Sequence, residues 1–162
     1  MLIADYISPG CIICGSEVRS KKRALEQLGT LFANSIAGLT ELDIFESLHA
    51  RERLSSTGIG YGVAIPHARL KASTRVMGAF MQLRTGVDFN ANDNEPVDLI
   101  FALLVPEKST EEHLQLLAML AEMFSSETLR TELRRAKSPT DIHRLLTQQR
   151  VAAVPKTTAG RA

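Results

Sequence analysis

Residues 57–68 read Thr57-Gly58-Ile59-Gly60-Tyr61-Gly62-Val63-Ala64-Ile65-Pro66-His67-Ala68, and this stretch is the most informative part of the chain. Three glycines at alternate positions give a backbone that can turn tightly or approach another group closely. The apolar run at 63–65 predicts a strand, which Pro66 ends because proline has no N–H for a neighbouring strand. His67 is therefore expected at a strand end, where its side chain can act on a group outside the protein. Spacing alone favours a functional and a structural histidine about equally, since histidine also titrates near neutral pH.

The composition is typical of one soluble globular domain. The chain has 162 residues, of which 44% are hydrophobic and 23% charged, and this length is sufficient to bury a core. Aromatic residues make up 5% and tryptophan is absent, so the core is expected to be mainly aliphatic. We expect one domain over residues 1–149 and a disordered tail over 150–162, which is rich in Ala, Pro, Thr and Gly.

The charge distribution argues against a nucleic-acid partner. The net charge is +1, and the tail contributes +3 from Arg150, Lys156 and Arg161, so the rest of the chain carries −2. The densest basic cluster is found near the start of the chain, at Arg19, Lys21, Lys22 and Arg23. Such a cluster indicates either a solvated helix start or a docking surface for an acidic protein.

The N-terminus, Met1-Leu2-Ile3-Ala4-Asp5-Tyr6, has neither the basic segment nor the long apolar segment of a signal peptide. The longest apolar run, 99–105, is too short to cross a bilayer. We therefore expect a cytoplasmic protein with no membrane insertion.

Cys11 and Cys14 have the C-x-x-C spacing of a redox pair or of half a zinc site. The sequence contains no second cysteine pair, and no thioredoxin-like βαβ pattern surrounds these two residues. Two buried or partly buried free thiols are the expected arrangement.

Hydrophobic periodicity and capping residues predict five helices and three strands. Ser20, Thr40 and Ser138 are the expected N-caps of three of the helices, and Ser109-Thr110-Glu111-Glu112 is a capping box that opens another. The predicted helices cover 21–37, 41–53, 110–124, 127–136 and 139–149, and the predicted strands cover 62–65, 76–83 and 97–105. The almost wholly apolar strand at 97–105 is expected to be covered on both faces, and 89–96 is expected to be a turn-rich connection.

The apolar positions predict which face of each helix is buried. The first helix is expected to bury Ala24, Leu25, Leu28, Leu31 and Phe32. The second helix is expected to present Leu42, Phe45 and Leu48 on one face. The helix over 110–124 is expected to use Leu114, Leu117, Leu120 and Phe124.

Two of the four histidines follow predicted strands. His67 follows the strand that ends at Ile65, and His113 lies near the start of the helix after the strand that ends at Val105. If these strands are parallel neighbours, both imidazoles point into one crevice, since ligand sites gather at the carboxyl ends of such strands. A helix N-terminus favours a nearby anion and disfavours protonation of His113.

Other interpretations of the histidines are open at this point. His113 alone fits a buried histidine bonded to a backbone carbonyl better than a ligand. A zinc site made from His67 and His113 lacks an accompanying cysteine or acidic ligand pattern. His49 and His143 are expected at the surface. The glycines at 58–62 lack the spacing and the preceding strand of a dinucleotide-binding loop, and the chain has no P-loop.

Several motifs together resemble enzyme IIA proteins of the fructose/mannitol/nitrogen class, which belong to the bacterial phosphoenolpyruvate-dependent phosphotransferase system. The resemblance covers roughly residues 3–148 and is strongest for the stand-alone nitrogen-regulatory enzyme IIA. The matching segments are Ser20-Lys21-Lys22-Arg23-Ala24-Leu25, Arg51-Glu52-Arg53-Leu54-Ser55-Ser56 with the 57–67 stretch, Asn94-Glu95-Pro96-Val97-Asp98 with the apolar run to Pro106, and Glu112-His113-Leu114.

The resemblance implies an α/β (α+β) fold with a central mixed β-sheet flanked by helices. It also implies a transferase component of the phosphotransferase system, in which His67 accepts a phosphoryl group on Nε2. His113 would hydrogen-bond the phosphoryl oxygens and Arg51 would pair with them, since a guanidinium matches phosphate geometry. Thr57 would contribute a hydroxyl or, more in keeping with its position, only a turn. No cofactor or metal is implied.

The implied donor is an HPr-like phosphocarrier fed by enzyme I and phosphoenolpyruvate. The implied targets are regulatory partners such as potassium-transport or sensor proteins, whose binding would depend on phosphorylation. One alternative is a sugar-specific enzyme IIA that passes phosphate to a IIB component for fructose or mannitol uptake; the absence of a fused IIB or IIC segment in this sequence favours regulation. A non-phosphorylated interaction module is the other alternative, and the joint presence of Arg51, His67 and His113 argues against it.

Overall fold

The computed structural model describes residues 2–108 and 110–148. These residues form five α-helices and one six-stranded sheet, with short 3₁₀ turns at Ile3–Asp5 and Pro9–Cys11. In chain order the elements are β1 (Ile12–Ser16), α1 (Lys21–Ser35), α2 (Glu41–Leu54), β2 (Gly58–Gly60), β3 (Val63–Ala64), β4 (His67–Leu70), β5 (Met77–Val87), β6 (Val97–Pro106), α3 (Thr110–Phe124), α4 (Glu127–Arg135) and α5 (Pro139–Thr147).

The sheet is mixed, as predicted, and β6 is its central strand. On one side β6 pairs antiparallel with β5, and β5 pairs parallel with β1. On the other side β6 pairs parallel with two short strands in succession, first β3 and then β4. The strand order is β1-β5-β6-β3-β2, with β4 beside the carboxyl half of β6.

The core surrounds β6. All seven side chains from Leu99 to Val105 are fully buried, which confirms a strand covered on both faces. Few aromatic residues are available, yet Phe80, Phe101 and Phe124 meet in one cluster with ring centroids 6.2–6.3 Å apart. The rest of the core is mostly aliphatic, as the composition predicts.

The strand predictions need two corrections. β3 ends at Ala64, two residues before Pro66, and the pairing with β6 resumes at His67 because the chain continues in the same direction along β6. His67 therefore opens β4 as well as following β3. Both edge strands were missed: β1, which contains Cys14 and pairs parallel with β5, and β2, which pairs antiparallel with β3.

The helix starts were predicted well because side-chain caps determine them. Ser20, Thr40, Ser126 and Ser138 each accept a hydrogen bond from the backbone N–H three residues on. The end of α1 was placed too late, since it ends at Ser35 rather than near Gly38.

Two helix faces were predicted only in part, since Leu48 of α2 and Leu120 and Phe124 of α3 are buried as predicted. In α2 the buried residues are Ile44, Leu48 and Glu52, whereas Leu42 is 61% exposed. In α3 the buried set includes His113, Leu116 and Leu120, whereas Leu114 is 56% exposed. In both helices a polar residue occupies a buried position, so apolar periodicity alone located the buried face only approximately.

Some predictions lie outside the described residues. The tail over 150–162, the boundary at 149 and the role of Ser109 in the capping box fall there, so the domain assignment of 1–149 stays a prediction. Within the described ranges, no helix is both long and apolar enough to cross a membrane.

Candidate functional site

His67 stands at the first position of β4, opposite Leu103 of β6. Its Nδ1 atom lies 2.9 Å from the carbonyl oxygen of Ile65. A carbonyl oxygen only accepts hydrogen bonds, so Nδ1 must carry the proton and the neutral ring has its lone pair on Nε2. The local backbone therefore selects the tautomer in which Nε2 is the nucleophilic atom.

His113, in the first turns of α3, lies against His67. The two ring centroids are 4.9 Å apart and the rings meet edge to face at 70°. His113 is 4% exposed, and neither of its ring nitrogens has a hydrogen-bond partner among the described residues. This excludes the interpretation in which a backbone carbonyl satisfies His113. A buried polar group without a partner is rare, and it indicates a place where a ligand group can accept or donate a hydrogen bond.

The environment keeps both histidines neutral at physiological pH. Burial, and after it the positive charges of His67 (when protonated), Arg69 and Arg51, together lower the pKa of His113 to about 4. Burial is also the main cause that lowers the pKa of His67, with Arg51 and Arg69 in the same direction, while the Ile65 carbonyl and Glu52 oppose it.

Two arginines supply positive charge to the site. Arg51 lies in the last turn of α2, where its Nη1 donates to the carbonyl oxygen of Ser55 at 3.0 Å. Arg69 lies two residues after His67 on β4 and is exposed. Both arginines act on the pKa of both histidines. The structure thus brings together His67, His113 and Arg51, as predicted, and adds Arg69.

Arg69 was missed, although the sequence contained a usable signal. Residues two apart in a strand point to the same face of the sheet, so Arg69 shares the face of His67. Recognising this required the strand β4, which was not predicted because Pro66 was expected to end the strand before it.

Thr57 is buried and does not direct its hydroxyl at His67. Its Oγ1 donates to Oε1 of Glu52 at 2.6 Å, and its backbone N–H donates to Oε2 at 2.9 Å. This supports the turn role and not the hydroxyl role. Glu52, which the sequence analysis did not select, is 4% exposed and also approaches Lys21, whose Nζ lies 3.4 Å from Oε2.

The remaining candidates stand apart from the site. His49 stacks on Phe45 at 5.2 Å, and His143 Nε2 lies 3.4 Å from the Ile7 carbonyl, so both are half-buried rather than fully at the surface. Cys11 is buried and Cys14 half-buried, and both are free thiols, as expected. In the part of the chain that the structure describes, no three His, Cys, Asp or Glu side chains are grouped to hold a metal ion.

The site has the chemistry of a receptor for a tetrahedral anion. It offers one unprotonated nitrogen on a fixed imidazole, an unsatisfied ring N–H on a second neutral imidazole, and two guanidinium groups. Neutral nucleophiles and positive donors around one point suit a phosphoryl group, for which positioning and charge stabilisation matter most.

Comparison with known proteins agrees with this geometry. The family described as "Phosphoenolpyruvate-dependent sugar phosphotransferase system, EIIA 2" matches residues 5–149. The nitrogen regulatory protein of Escherichia coli K12 is 44% identical over 146 residues, which cover 90% of this chain and 89% of that protein. A fructose-specific EIIA component of Haloferax volcanii is 36% identical over 103 residues, which cover 64% of this chain and 67% of that protein.

A solved structure shows the same fold. The crystal structure of nitrogen regulatory protein IIA-Ntr from Neisseria meningitidis superposes with a TM-score of 0.85 at 43% identity, covering 90% of this chain and 99% of that one. The fold and the sequence therefore define a phosphotransferase-system component of the enzyme IIA type. The chain belongs to the EIIA 2 family, and it is similar over nine-tenths of its length to members named nitrogen regulatory protein.

Proposed function

We propose that this protein is a phosphoryl carrier that accepts a phosphoryl group on Nε2 of His67 and acts as a regulator in the nitrogen branch of the phosphotransferase system. The observation that carries the proposal is the contact between Nδ1 of His67 and the Ile65 carbonyl, since it leaves Nε2 unprotonated beside the unsatisfied His113. Membership of the EIIA 2 family supports the same chemistry.

In the proposed transfer, the lone pair of Nε2 attacks the phosphorus of a phosphohistidine on the donor protein. The Nε2–P bond forms as the donor N–P bond breaks, and the donor imidazole keeps the electron pair of the broken bond. No proton has to leave His67, because its ring proton is on Nδ1 and stays hydrogen-bonded to the Ile65 carbonyl oxygen. Two nitrogens of similar basicity exchange the group, so the transfer is reversible.

Positive charge and hydrogen-bond donors would stabilise the phosphoryl oxygens. A neutral His113 has one ring N–H without a partner among the described residues, and the transferred group would supply the acceptor. Arg51 and Arg69 would neutralise the charge of the oxygens. Thr57 would support the site indirectly, through Glu52 and the turn before β2.

The proposed donor is an HPr-like phosphocarrier fed by enzyme I and phosphoenolpyruvate, and the proposed setting is the cytoplasm. The proposed targets are regulatory partners such as potassium-transport or sensor proteins. A phosphoryl group adds negative charge to the exposed rim of the site, which changes the affinity of that face for other proteins. The name nitrogen regulatory protein, carried by relatives that match nine-tenths of the chain, supports the regulatory assignment.

The second candidate is a sugar-specific enzyme IIA that passes the group to a IIB component. The similarity to a fructose-specific EIIA component favours it, although this similarity covers a smaller share of the chain. Incubation of the phosphorylated protein with purified fructose and mannitol IIB domains separates the two. Rapid transfer to either IIB domain would support sugar uptake, and retention of the group would support regulation.

The carrier role is tested by intact-mass analysis after mixing the protein with enzyme I, an HPr-type carrier and phosphoenolpyruvate. We expect one acid-labile phosphoryl group on the wild type and on His143→Ala, and none on His67→Ala. His143 is a matched control because it is a half-buried histidine on α5, away from the site. If no competent donor modifies the wild type, the protein is an interaction module and the carrier proposal is wrong.

A further inference from the structure

A second group of positively charged side chains lines a cleft near the C-terminal end of α2. An open cleft of about 430 Å³ runs between the first turn of α1, the last turns of α2 and the loop after β5. We call it the basic cleft, and its polar lining includes Lys21, Lys22, Glu52, Arg53, Ser55 and Asn90. His67, His113 and Arg51 do not line it, so it is distinct from the proposed phosphorylation site.

The positive charge in the basic cleft is not neutralised by the protein. Lys21 approaches Glu52 at 3.4 Å, and this is the one carboxylate in the lining. Across residues 2–108 and 110–148, the side chains of Lys22 and Arg53 have no ion-pair or hydrogen-bond partner. The cleft therefore holds two more cations than anions, all within reach of one concave surface.

The first turn of α1 departs from the charge pattern that is usual at a helix N-terminus. The N-terminus of a helix carries partial positive charge, and acidic residues are favoured there. The first turn of α1 instead has Lys21, Lys22 and Arg23 and no acidic residue. Glu52 and Glu26 offset the charges of Lys21 and Arg23, so Lys22 is the cation of this turn that no carboxylate among the described residues offsets.

We propose that the basic cleft binds a small anion that carries a phosphate group. Lys22 and Arg53 would pair with the phosphate oxygens, and the free amide of Asn90 would provide a neutral donor. The volume is within the range of small-molecule sites, about 300–1,000 Å³. The excess of two positive charges matches a phosphate dianion. A concave site of this size suits a small molecule better than an acidic protein surface, which would need a broad and flatter face.

A chain of hydrogen bonds connects the basic cleft to His67. Lys21 and the Thr57 hydroxyl and N–H contact the Glu52 carboxylate, as described above. The Thr57 carbonyl accepts from the N–H of Ile65 at 3.0 Å, and the Ile65 carbonyl accepts from Nδ1 of His67. An anion that draws Lys21 away from Glu52 would leave more negative charge facing His67, which favours the protonated imidazole. This coupling concerns the proposed phosphorylation site, whereas anion binding in the basic cleft does not depend on that site.

Binding is tested by a pyrophosphate titration followed through backbone amide NMR shifts, with added salt adjusted to hold the ionic strength constant. We expect saturable shifts at Lys22, Arg53 and Asn90. Lys22→Gln/Arg53→Gln should weaken binding by about tenfold or more, since it removes two charge-assisted contacts. The matched control is Arg23→Gln, because Arg23 is exposed, neighbours Lys22 and pairs with Glu26 outside the cleft. The control should bind within about twofold of the wild type.

Three outcomes would overturn the binding proposal. In the first, the shifts do not saturate, which indicates general screening of surface charge. In the second, they are confined to Arg51, His67 and His113, so pyrophosphate occupies only the other site. In the third, a short poly-glutamate peptide binds the same residues more tightly than pyrophosphate does, which identifies a protein-docking surface instead.

The coupling is tested by following the ring signals of His67 against pH with and without pyrophosphate. The charged groups that face His67 are Arg51 and Glu52 on α2, Arg69 on β4 and His113 on α3. We expect pyrophosphate to raise the midpoint in the wild type and to have a smaller effect in Lys22→Gln/Arg53→Gln. Equal shifts in both proteins would overturn the coupling. Because this measurement needs no phosphotransfer, it is informative even if the carrier proposal fails.

Discussion

At the scale of single residues, the two histidines of the site show how environment separates the roles of identical side chains. His67 has one nitrogen bonded to a backbone carbonyl, which leaves the other nitrogen free to react. His113 has neither nitrogen bonded within the described residues and is more deeply buried, so its neutral form is favoured more strongly. The His67 ring is thus oriented for nucleophilic attack, and the His113 ring is available to hydrogen-bond a transferred group.

The pKa of His113 predicts a pH dependence of stability. Its value of about 4 in the folded protein is below the value of 6.5 expected when unfolded. Between these values the unfolded chain binds more protons than the folded protein does. The free energy of unfolding is therefore not reduced by this group above pH 6.5, and it falls as the pH is lowered towards 4. Urea unfolding at several pH values should show this decline, and His113→Gln should make it shallower. An NMR midpoint of His113 near 6.5 would contradict the prediction.

The role of Arg69 can be measured separately. Since Arg69 lowers the pKa of both histidines, Arg69→Gln should raise both midpoints in an NMR titration. It should also slow phosphorylation of His67 by about threefold to tenfold, a modest loss because the side chain is exposed to solvent. Arg75→Gln is the matched control, since Arg75 is an exposed arginine that does not act on either histidine. Equal rates for the two variants would exclude Arg69 from the site.

Single residues were predictable where a motif contained them and not where tertiary contacts defined them. His67, His113 and Arg51 could be selected because they belong to contiguous patterns. Glu52 stands next to Arg51 in the same segment, but its burial was not predictable, because an acidic residue near a helix end normally points to solvent and only its contacts with Thr57 and Lys21 show it to be buried. Its burial also explains why the inward face of α2 was predicted only in part.

At the scale of elements, the position of the site depends on how α2 and α3 approach the sheet. Capping residues set the helix starts and were readable in the sequence, whereas β4 was not, because Pro66 normally ends a strand. The sheet continues past Pro66 because β3 and β4 pair one after the other with the same strand, β6. The interruption at Ile65 and Pro66 provides the carbonyl that orients His67.

The contact between α1 and α2 gives a prediction about these elements. A Cβ added at Gly29 would lie 2.9 Å from the carbonyl oxygen of Glu41, the first residue of α2. Gly29→Ala should therefore separate the helices and lower the free energy of unfolding by about 1–3 kcal/mol, despite the higher helix propensity of alanine. Gly10→Ala, where nothing lies within 4 Å of the added Cβ, is the control and should be nearly neutral. Denaturant unfolding of both variants measures the difference, and equal stabilities would show that the helices adjust without cost.

At the scale of the whole molecule, the protein concentrates unsatisfied groups in a structure that is otherwise well packed. The core around β6 is continuous, and the sheet, the caps and the aromatic cluster are internally consistent. Among the described residues, the surroundings of the two histidines and the basic cleft each contain positive charges without a carboxylate partner. Sequence patterns could predict the packed part, because periodicity and caps describe it. They could not predict the juxtaposition of charges, which arises only when α1, α2 and β4 come together.

Phosphorylation should therefore stabilise the folded protein. If His67 carries a phosphoryl group, its oxygens provide the acceptor that His113 lacks and the counter-charge that Arg51 and Arg69 lack, a gain of about 1–3 kcal/mol. For a chain of this size, each kcal/mol corresponds to about 2–4 °C in Tm. Thermal unfolding at pH 8, directly after phosphorylation, should show a rise of a few degrees, and His113→Ala should lose most of it. A phosphorylated form that unfolds at or below the Tm of the free protein would mean that the unsatisfied groups at this site do not face the phosphoryl oxygens.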